Sequence, residues 1–398
     1  MAEQDRVAIV GAGPVGLTLA LLLGRAGIPT VVLEAEADIA EELRASTFHP
    51  PTLDMLDTLG LAQPLIAQGL VTPTWQVRMH ATGERAEFDL SVLADDTAHP
   101  FRLQAEQHKL SRLLLAALAG EPAVEVRFGH AVTTVEQGAE GARVAGAEFA
   151  LDARYVIGCD GARSVVRRAM GLAFEGDTYP ETTILATTPF PFHDVMPGLS
   201  NVNYIWTESP VFSGTFSLLR VPGRWRASLY PAPDETVEQA LEAVAIERKL
   251  QAIHPRAERY DVQDLRPYRI HQRIVPSYRA GRLLLAGDAA HLNSPSGGMG
   301  MNGGIHDAFN LVSKLVEVWR GKAGEDLLDR YGRQRRPIAE EAILAQADRN
   351  RSRMQERDAG RRRALLDELR ATAEDPVRAR AFLLRSSMIE GLRRAAEI

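Results

Sequence analysis

An α/β chain, with a parallel sheet wound by helices, a β-rich insertion and a helical C-terminal end, is predicted by three stretches of sequence. "RVAIVGAGPVGLTLALLLGRAGIPTVVLEAE" near the start reads as strand, glycine turn, helix and second strand. "ARYVIGCDGARSVVRRAMGL", residues 153–172, reads as strand, turn and helix, and "RLLLAGDAAHLNSPSGGMGMNGGIHDAFNL", residues 282–311, runs an apolar strand into a glycine-studded turn before a helix. A length of 398 residues exceeds one comfortable core and the 45% apolar fraction is globular, so two intimately packed domains are expected.

The first stretch is a complete βαβ unit. The apolar run Val7–Val10 precedes Gly11, Gly13 and Gly16, Pro14 and Val15 open the helix, and Thr30–Leu33 forms the second strand. Each glycine meets a separate demand: Gly11 the tight turn, Gly13 the approach of a diphosphate to the backbone, Gly16 the packing of helix on strand. The helix N-terminus then offers N–H groups to an anion. Glu34 and Ala35 follow the second strand. A carboxylate there accepts hydrogen bonds from a ribose diol and repels a 2′-phosphate, so NADP is disfavoured at this site. The unit does not separate FAD from NAD.

In the second stretch, residues 155–159 read as a buried strand and Asp160-Gly161 as its turn, with Arg163, Arg167 and Arg168 on the helix that follows. Taken locally this is an ordinary turn with surface charge as much as a binding element. In the third, Asp288 follows the apolar run 283–286, Gly297, Gly298 and Gly300 expose amides after Pro295, and a helix is expected from about residue 303 with its positive end toward them. An anionic or electron-accepting ring gains from that field. FAD is long enough to reach both this segment and the first βαβ unit.

Between them, "TTILATTPFPF", "NVNYIWTES", "VFSGTFSLLR" and "RWRASLYPAP" are β-rich runs, followed by a helical stretch over 237–253. A sheet here would cover the cofactor and form an apolar substrate chamber. Its candidate lining is Tyr204, Trp206 and Phe216, out of a wider set of Phe190, Phe192, Phe212, Trp225 and Tyr230. Beyond residue 315 the pattern is helical and arginine-rich, which reads as solvated helix faces. These helices either cap the dinucleotide domain or make a homodimer contact. The expected division is 1–75, 100–177 and 268–325 for a discontinuous dinucleotide domain, 76–99 and 178–267 for the β-rich substrate domain, and 326–398 for the helical end.

The net charge of −6 argues against a nucleic-acid partner. Cys159 is the single cysteine and forms no internal disulfide, and the sequence shows no signal peptide and no membrane span. A cytoplasmic enzyme is expected. No metal site is read.

Three motifs in this order, "GAGPVG", "CDGARSVVR" and "AGDAAHLNSPSGGMGMNGGIHDAFNL", resemble the flavoprotein aromatic hydroxylases typified by p-hydroxybenzoate hydroxylase, over roughly residues 5–340. The resemblance implies a Rossmann-like FAD-binding domain with an inserted β-sheet substrate domain. It also implies that Glu34 binds the adenosine ribose, that Asp288 binds the ribityl or diphosphate portion, and that Pro295 lies at the reacting face of the flavin. Gly298 belongs to the same turn, and Gly300, Met301 and Asn302 would give backbone contacts to the flavin N1–C2=O edge. Arg44 matches a diphosphate-binding arginine, Gln104 a glutamine that touches FAD, and Asp160 an acid associated with FAD and NAD(P)H.

The implied reaction uses NADH or NADPH to reduce FAD, forms a C4a-hydroperoxyflavin with O2, and hydroxylates an aromatic or heteroaromatic small molecule. Some phenolic hydroxylases carry His or Asp near Ser46, and this chain departs from them. His49 in "STFHPP" is then the candidate base, or else only the residue before a helix starting at Pro50-Pro51. His291 is either functional or a support for the strand end. Rival readings are another flavin oxidoreductase of the same fold, such as a saturase, and a flavin-binding partner without turnover. A halogenase is disfavoured because "NYIWTESP" does not fit a WxWxIP signature.

Overall fold

The computed structural model describes residues 5–41 and 45–398. Its base is a six-stranded sheet in the order Arg279–Ala280, Leu283–Leu285, Tyr155–Gly158, Val7–Val10, Thr30–Leu33, Val124–Arg127. All neighbours are parallel except the first pair. The central strands are buried on both faces, as continuous apolar runs require. Helix Pro14–Arg25 and helix Met299–Trp319 pack together against this sheet, and Ala142–Ala145 is the middle strand of a small antiparallel meander beside it.

The insertion is an eight-stranded sheet in the order His291–Leu292, Asp264–Ile274, Glu175–Thr188, Arg224–Leu229, Thr215–Val221, Val202–Trp206, Thr74–Met79, Arg85–Asp89. Glu175–Thr188 and Asp264–Ile274 overrun the expected ends at 178 and 267, because each is one long strand rising from the parallel-sheet region into the insertion.

Alternation along the insertion strands separates two faces. Ile184, Ala186, Ile205, Phe216, Leu218, Trp225, Ala227 and Leu229 make one apolar cluster, closed by Ile246 and Leu250 of helix Ala243–Ile253. The opposite face looks toward the parallel-sheet region.

Helix Met299–Trp319 begins earlier than expected, at Gly298, whose φ of 70° caps it in the left-handed region. The glycines behind it serve close packing: a Cβ on Gly304 would stand 2.5 Å from Val15 Cγ2 and 3.0 Å from Gly287 Cα. Of the C-terminal helices, Asp326–Ile338 lies on helix Met299–Trp319, whereas Ala359–Glu374 and Pro376–Ser386 cover the insertion sheet around Trp75, Phe88 and Trp206. Capping is therefore shared between both regions. Among the described residues no helix is long and apolar enough to cross a membrane.

Candidate active site

Between the two sheets lies one cavity of about 610 Å³. Its wall combines Gly13, Pro14, Val15, Cys159 and Gly161 of the first two turns, Asp288, Pro295, Gly298, Gly300 and Met301 of the third, and residues of the insertion sheet. The two distant glycine turns thus share a single groove.

The first turn sorts its glycines by geometry. Gly11 has φ 104° and a Cβ there would sit 2.5 Å from the Cys159 carbonyl, while one on Gly16 would sit 2.0 Å from the Gly11 carbonyl. Around Gly13 there is nothing within 4 Å, so its missing side chain leaves open groove beside the first turn of the helix. Glu34 sits at the end of Thr30–Leu33, where its Oε2 accepts from Ala12 N at 2.6 Å and its Oε1 from Glu36 N at 3.0 Å; Ala35 is exposed beside it.

Asp160 begins the second turn. Its Oδ2 accepts from Val165 N at 2.6 Å, whereas Oδ1 is buried without a partner among the described residues. Burial raises the carboxyl against the lowering effect of the hydrogen bonds from Ser164 and Val165. Arg167, expected as plausible surface charge, is buried: it donates to Ala289 O at 3.0 Å and to Ala162 O at 2.7 Å and lies 3.9 Å from the Phe174 ring centroid, tying the second turn to the third.

The third turn is held from behind by a buried ion-pair network. Asp307 Oδ2 accepts from Gly287 N at 3.1 Å and lies 2.8 Å from His291 Nε2, and Arg335 Nε donates to Asp307 Oδ1 at 2.7 Å. Burial would push the Asp307 carboxyl up, but the charges of Arg335 and His291 hold it at about 2. His291 accordingly supports the strand end.

Several expected residues stand elsewhere. His49 is fully buried behind the groove and is not in its wall. It precedes helix Pro50–Asp57, and its Nε2–H donates to Gly297 O at 2.8 Å. Burial, then the charge of Arg102, lower its imidazole to about 3. A ring so placed does not receive a proton from a ligand in the cavity.

Asn302 also lies behind the wall, donating to Thr47 O at 2.8 Å and Gly298 O at 2.7 Å and accepting from His49 N at 2.9 Å. Gln104 pairs with Thr47 Oγ1 at 3.0 Å, and Gln107 lines the cavity in its stead. Arg44 lies outside the described residues.

Of the aromatics, Tyr204 and Tyr230 face the cavity. Phe216 touches the wall, but its ring belongs to the opposite face, stacked 5.0 Å from Phe212. Trp206 shares a face with Tyr204 but lies under the C-terminal helices, its indole N–H donating to Arg353 O at 3.3 Å. Phe190, Phe192, Phe212 and Trp225 pack on the far side of the sheet. The cavity face instead presents Arg226, Ser228, Tyr230 and Tyr268, and Arg351, Met354 and Gln355 close it from the C-terminal side. The signal for the first three was present in "RWRASLY", where polar residues alternate with Trp225, Ala227 and Leu229.

The profile of a family described as "FAD binding domain" matches residues 4–346. The chain belongs to this FAD-binding family. A para-nitrophenol 4-monooxygenase of Pseudomonas sp. (strain WBC-3) is 35% identical over 401 residues, covering 99% of this chain and 98% of that protein. A 6-hydroxy-3-succinoylpyridine 3-monooxygenase of Pseudomonas putida (strain DSM 28022 / S16) is 36% identical over 88% of this chain and 89% of its own length. The crystal structure of p-nitrophenol 4-monooxygenase from Pseudomonas putida DLL-E4 superposes with a TM-score of 0.89 at 32% identity, covering 98% of each chain. For a member of the FAD-binding family, the open groove at Gly13 fits the cofactor, whereas Asp160 is not in the cavity wall.

The buried histidines set the acid response. Because His49 is held at about 3, below its ordinary 6.5, the unfolded chain binds a proton between those values that the folded chain refuses, so stability falls as pH drops below 6.5. His306, also lowered well below its ordinary value by burial, acts in the same direction. Asp307 is a depressed carboxyl: its contribution is present above 3.8 and is lost as pH falls toward 2. Urea midpoints are therefore expected to decline from about pH 6.5 downward, and His49→Gln should flatten the upper part of that decline. An unchanged slope in that variant would remove His49 from the account.

Proposed function

We propose that this chain is an FAD-dependent monooxygenase that uses NADH or NADPH and O2 to hydroxylate a small aromatic or heteroaromatic ring. The observation that carries the reading is the single cavity, walled by the dinucleotide-binding turns and by the insertion sheet together. Bound FAD supplies the two-electron carriage and the reaction with O2 that the chain's own side chains lack.

The protein's share is binding and enclosure. Gly13 and the first turn of helix Pro14–Arg25 would receive the diphosphate, Glu34 the adenosine ribose, and Asp288 a hydroxyl or diphosphate oxygen further along. Pro295 and the Gly298–Met301 backbone would border the reactive ring. Tyr204, Tyr230 and Tyr268 would orient the substrate, and Arg351, Met354 and Gln355 keep water out from the C-terminal side. The nitrophenol monooxygenase similarity favours phenols as first probes. We place the reaction in the cytoplasm, which supplies NADH and NADPH.

The test is direct. Purified protein should carry one FAD per chain, and 4-nitrophenol should stimulate NAD(P)H oxidation with an equal amount of hydroxylated product. FAD-loaded protein whose NAD(P)H oxidation no phenol or hydroxypyridine stimulates would refute the reading.

A further inference from the structure

Among the described residues the cavity wall holds four arginines, 226, 266, 269 and 351, against one carboxylate, Asp288. Three of the four are accounted for: Arg351 is paired with Glu181 at 2.5 Å, Arg266 with Asp264 at 3.1 Å, and Arg269 is exposed. Arg226 differs. It is only 6% exposed, and among the described residues no carboxylate lies within ion-pair distance of it. Its Nη1 donates to Ser46 Oγ at 2.8 Å, and its Nε is buried without a partner among the described residues.

The groups around Arg226 do not cancel its charge. Glu106, at the start of the neighbouring helix, is engaged by Lys109 at 2.6 Å, and Asp264 by Arg266. Tyr268, two strands away across the sheet, is pushed up by desolvation, so it stays a neutral phenol. Leu219 and Thr187, its cross-strand neighbours, carry no charge. An uncompensated buried cation is costly unless something anionic completes it.

The same chamber is poor in bases. Among the described residues the one imidazole in the wall is His271, whose Nδ1 is 2.9 Å from Thr178 Oγ1. Tyr230, like Tyr268, is raised by desolvation. The chamber is thus built with a counter-cation, and its imidazole is lowered from its ordinary value by burial and by the charges of Arg273 and Arg269, which weakens it as an acceptor of a phenolic proton.

We propose that Arg226, with the Ser46 hydroxyl, is the counter-charge for a substrate that binds as its anion, a phenol or hydroxypyridine acidic enough to arrive already ionised. Ser46 accepts from Arg226, which leaves its own proton available to the oxyanion as a second donor. The proton is lost to solvent before binding, which is why electron-withdrawing ring substituents favour a substrate here. This rests on the monooxygenase reading above and narrows its substrate class.

The probe is 4-nitrophenol, whose neutral and ionised forms absorb differently, added to FAD-loaded protein and read as a difference spectrum. The bound species should be the phenolate at every pH, with apparent affinity falling about tenfold for each pH unit below the ionisation of the free probe. Arg226→Gln should weaken its binding on the order of 10- to 100-fold and leave 4-nitroanisole, the uncharged methyl ether, unaffected. Arg226→Lys should restore part of the loss, and flavin absorbance verifies that each variant is folded and loaded. A neutral bound probe, or equal losses for probe and ether in Arg226→Gln, overturns the proposal. Protein that keeps FAD and binds neither ligand overturns it too, whereas phenolate binding without substrate-stimulated NAD(P)H oxidation supports the counter-charge and refutes the monooxygenase reading alone.

Discussion

Gly16→Ala is expected to yield a colourless protein, destabilised by about 3 kcal/mol. The new methyl group would stand 2.0 Å from the Gly11 carbonyl and 3.3 Å from Cys159 Cβ, and the backbone of the tight turn cannot retreat, because Gly11 is itself pressed against the Cys159 carbonyl. Helix Pro14–Arg25 must therefore lift from Val7–Val10, which displaces the amides that face the groove. Gly13→Ala makes the informative contrast. Its φ of −68° suits alanine and no atom lies within 4 Å, so that variant should melt like the parent yet hold FAD weakly, with a methyl group standing in the diphosphate's path. Thermal melting together with flavin retained after gel filtration separates the outcomes. Equal FAD retention in parent and Gly13→Ala would remove this turn from the binding site.

Arg335→Ala should cost about 3–5 kcal/mol, the range for stripping one partner from a buried ion pair. Arg335 is 1% exposed and bridges Asp307 Oδ1 and Gly303 O, while the other Asp307 oxygen holds Gly287 N. Losing the guanidinium leaves Asp307 charged in a dry interior or forces it to take a proton, and either relaxes the turn that presents Asp288. FAD affinity should fall along with the urea midpoint. The double variant Asp307→Asn/Arg335→Ala should lose less than the sum of the single changes, because the carboxylate stranded by the first change is removed by the second. Strict additivity would mean that the pair does not act as a unit.

The dinucleotide-binding unit was legible because its constraints are local. Apolar runs fix Val7–Val10 and Thr30–Leu33, and each glycine answers a contact a few residues away or in the next strand. Gly300 was read as exposed loop although it lies in the first turn of the helix, and the packing need of Gly304 arises from Val15 and Gly287, far away in the chain. The insertion strands showed two faces without saying which was wet. Favouring aromatics for the chamber selected Trp206 and Phe216, whereas the apolar set packs against a helix and the polar set beginning at Arg226 faces the cavity. Arg351, Met354 and Gln355 carried no signal, because a helix closing a distant cavity leaves no local pattern. His49 is decided by the Pro50 and Pro51 that follow it and by Gly297, found only after folding.

The order of the parallel sheet also governs when the protein can be finished on the ribosome. Tyr155–Gly158 lies between Val7–Val10 and Leu283–Leu285, so one of its edges stays open until residue 285 has been translated. A nascent chain stopped before that point has the first glycine turn but lacks the segment that forms the other side of the groove. Flavin capture is thus a late event in biosynthesis, and shortened chains lacking the third motif should emerge sticky and unable to hold the cofactor, however intact their first motif.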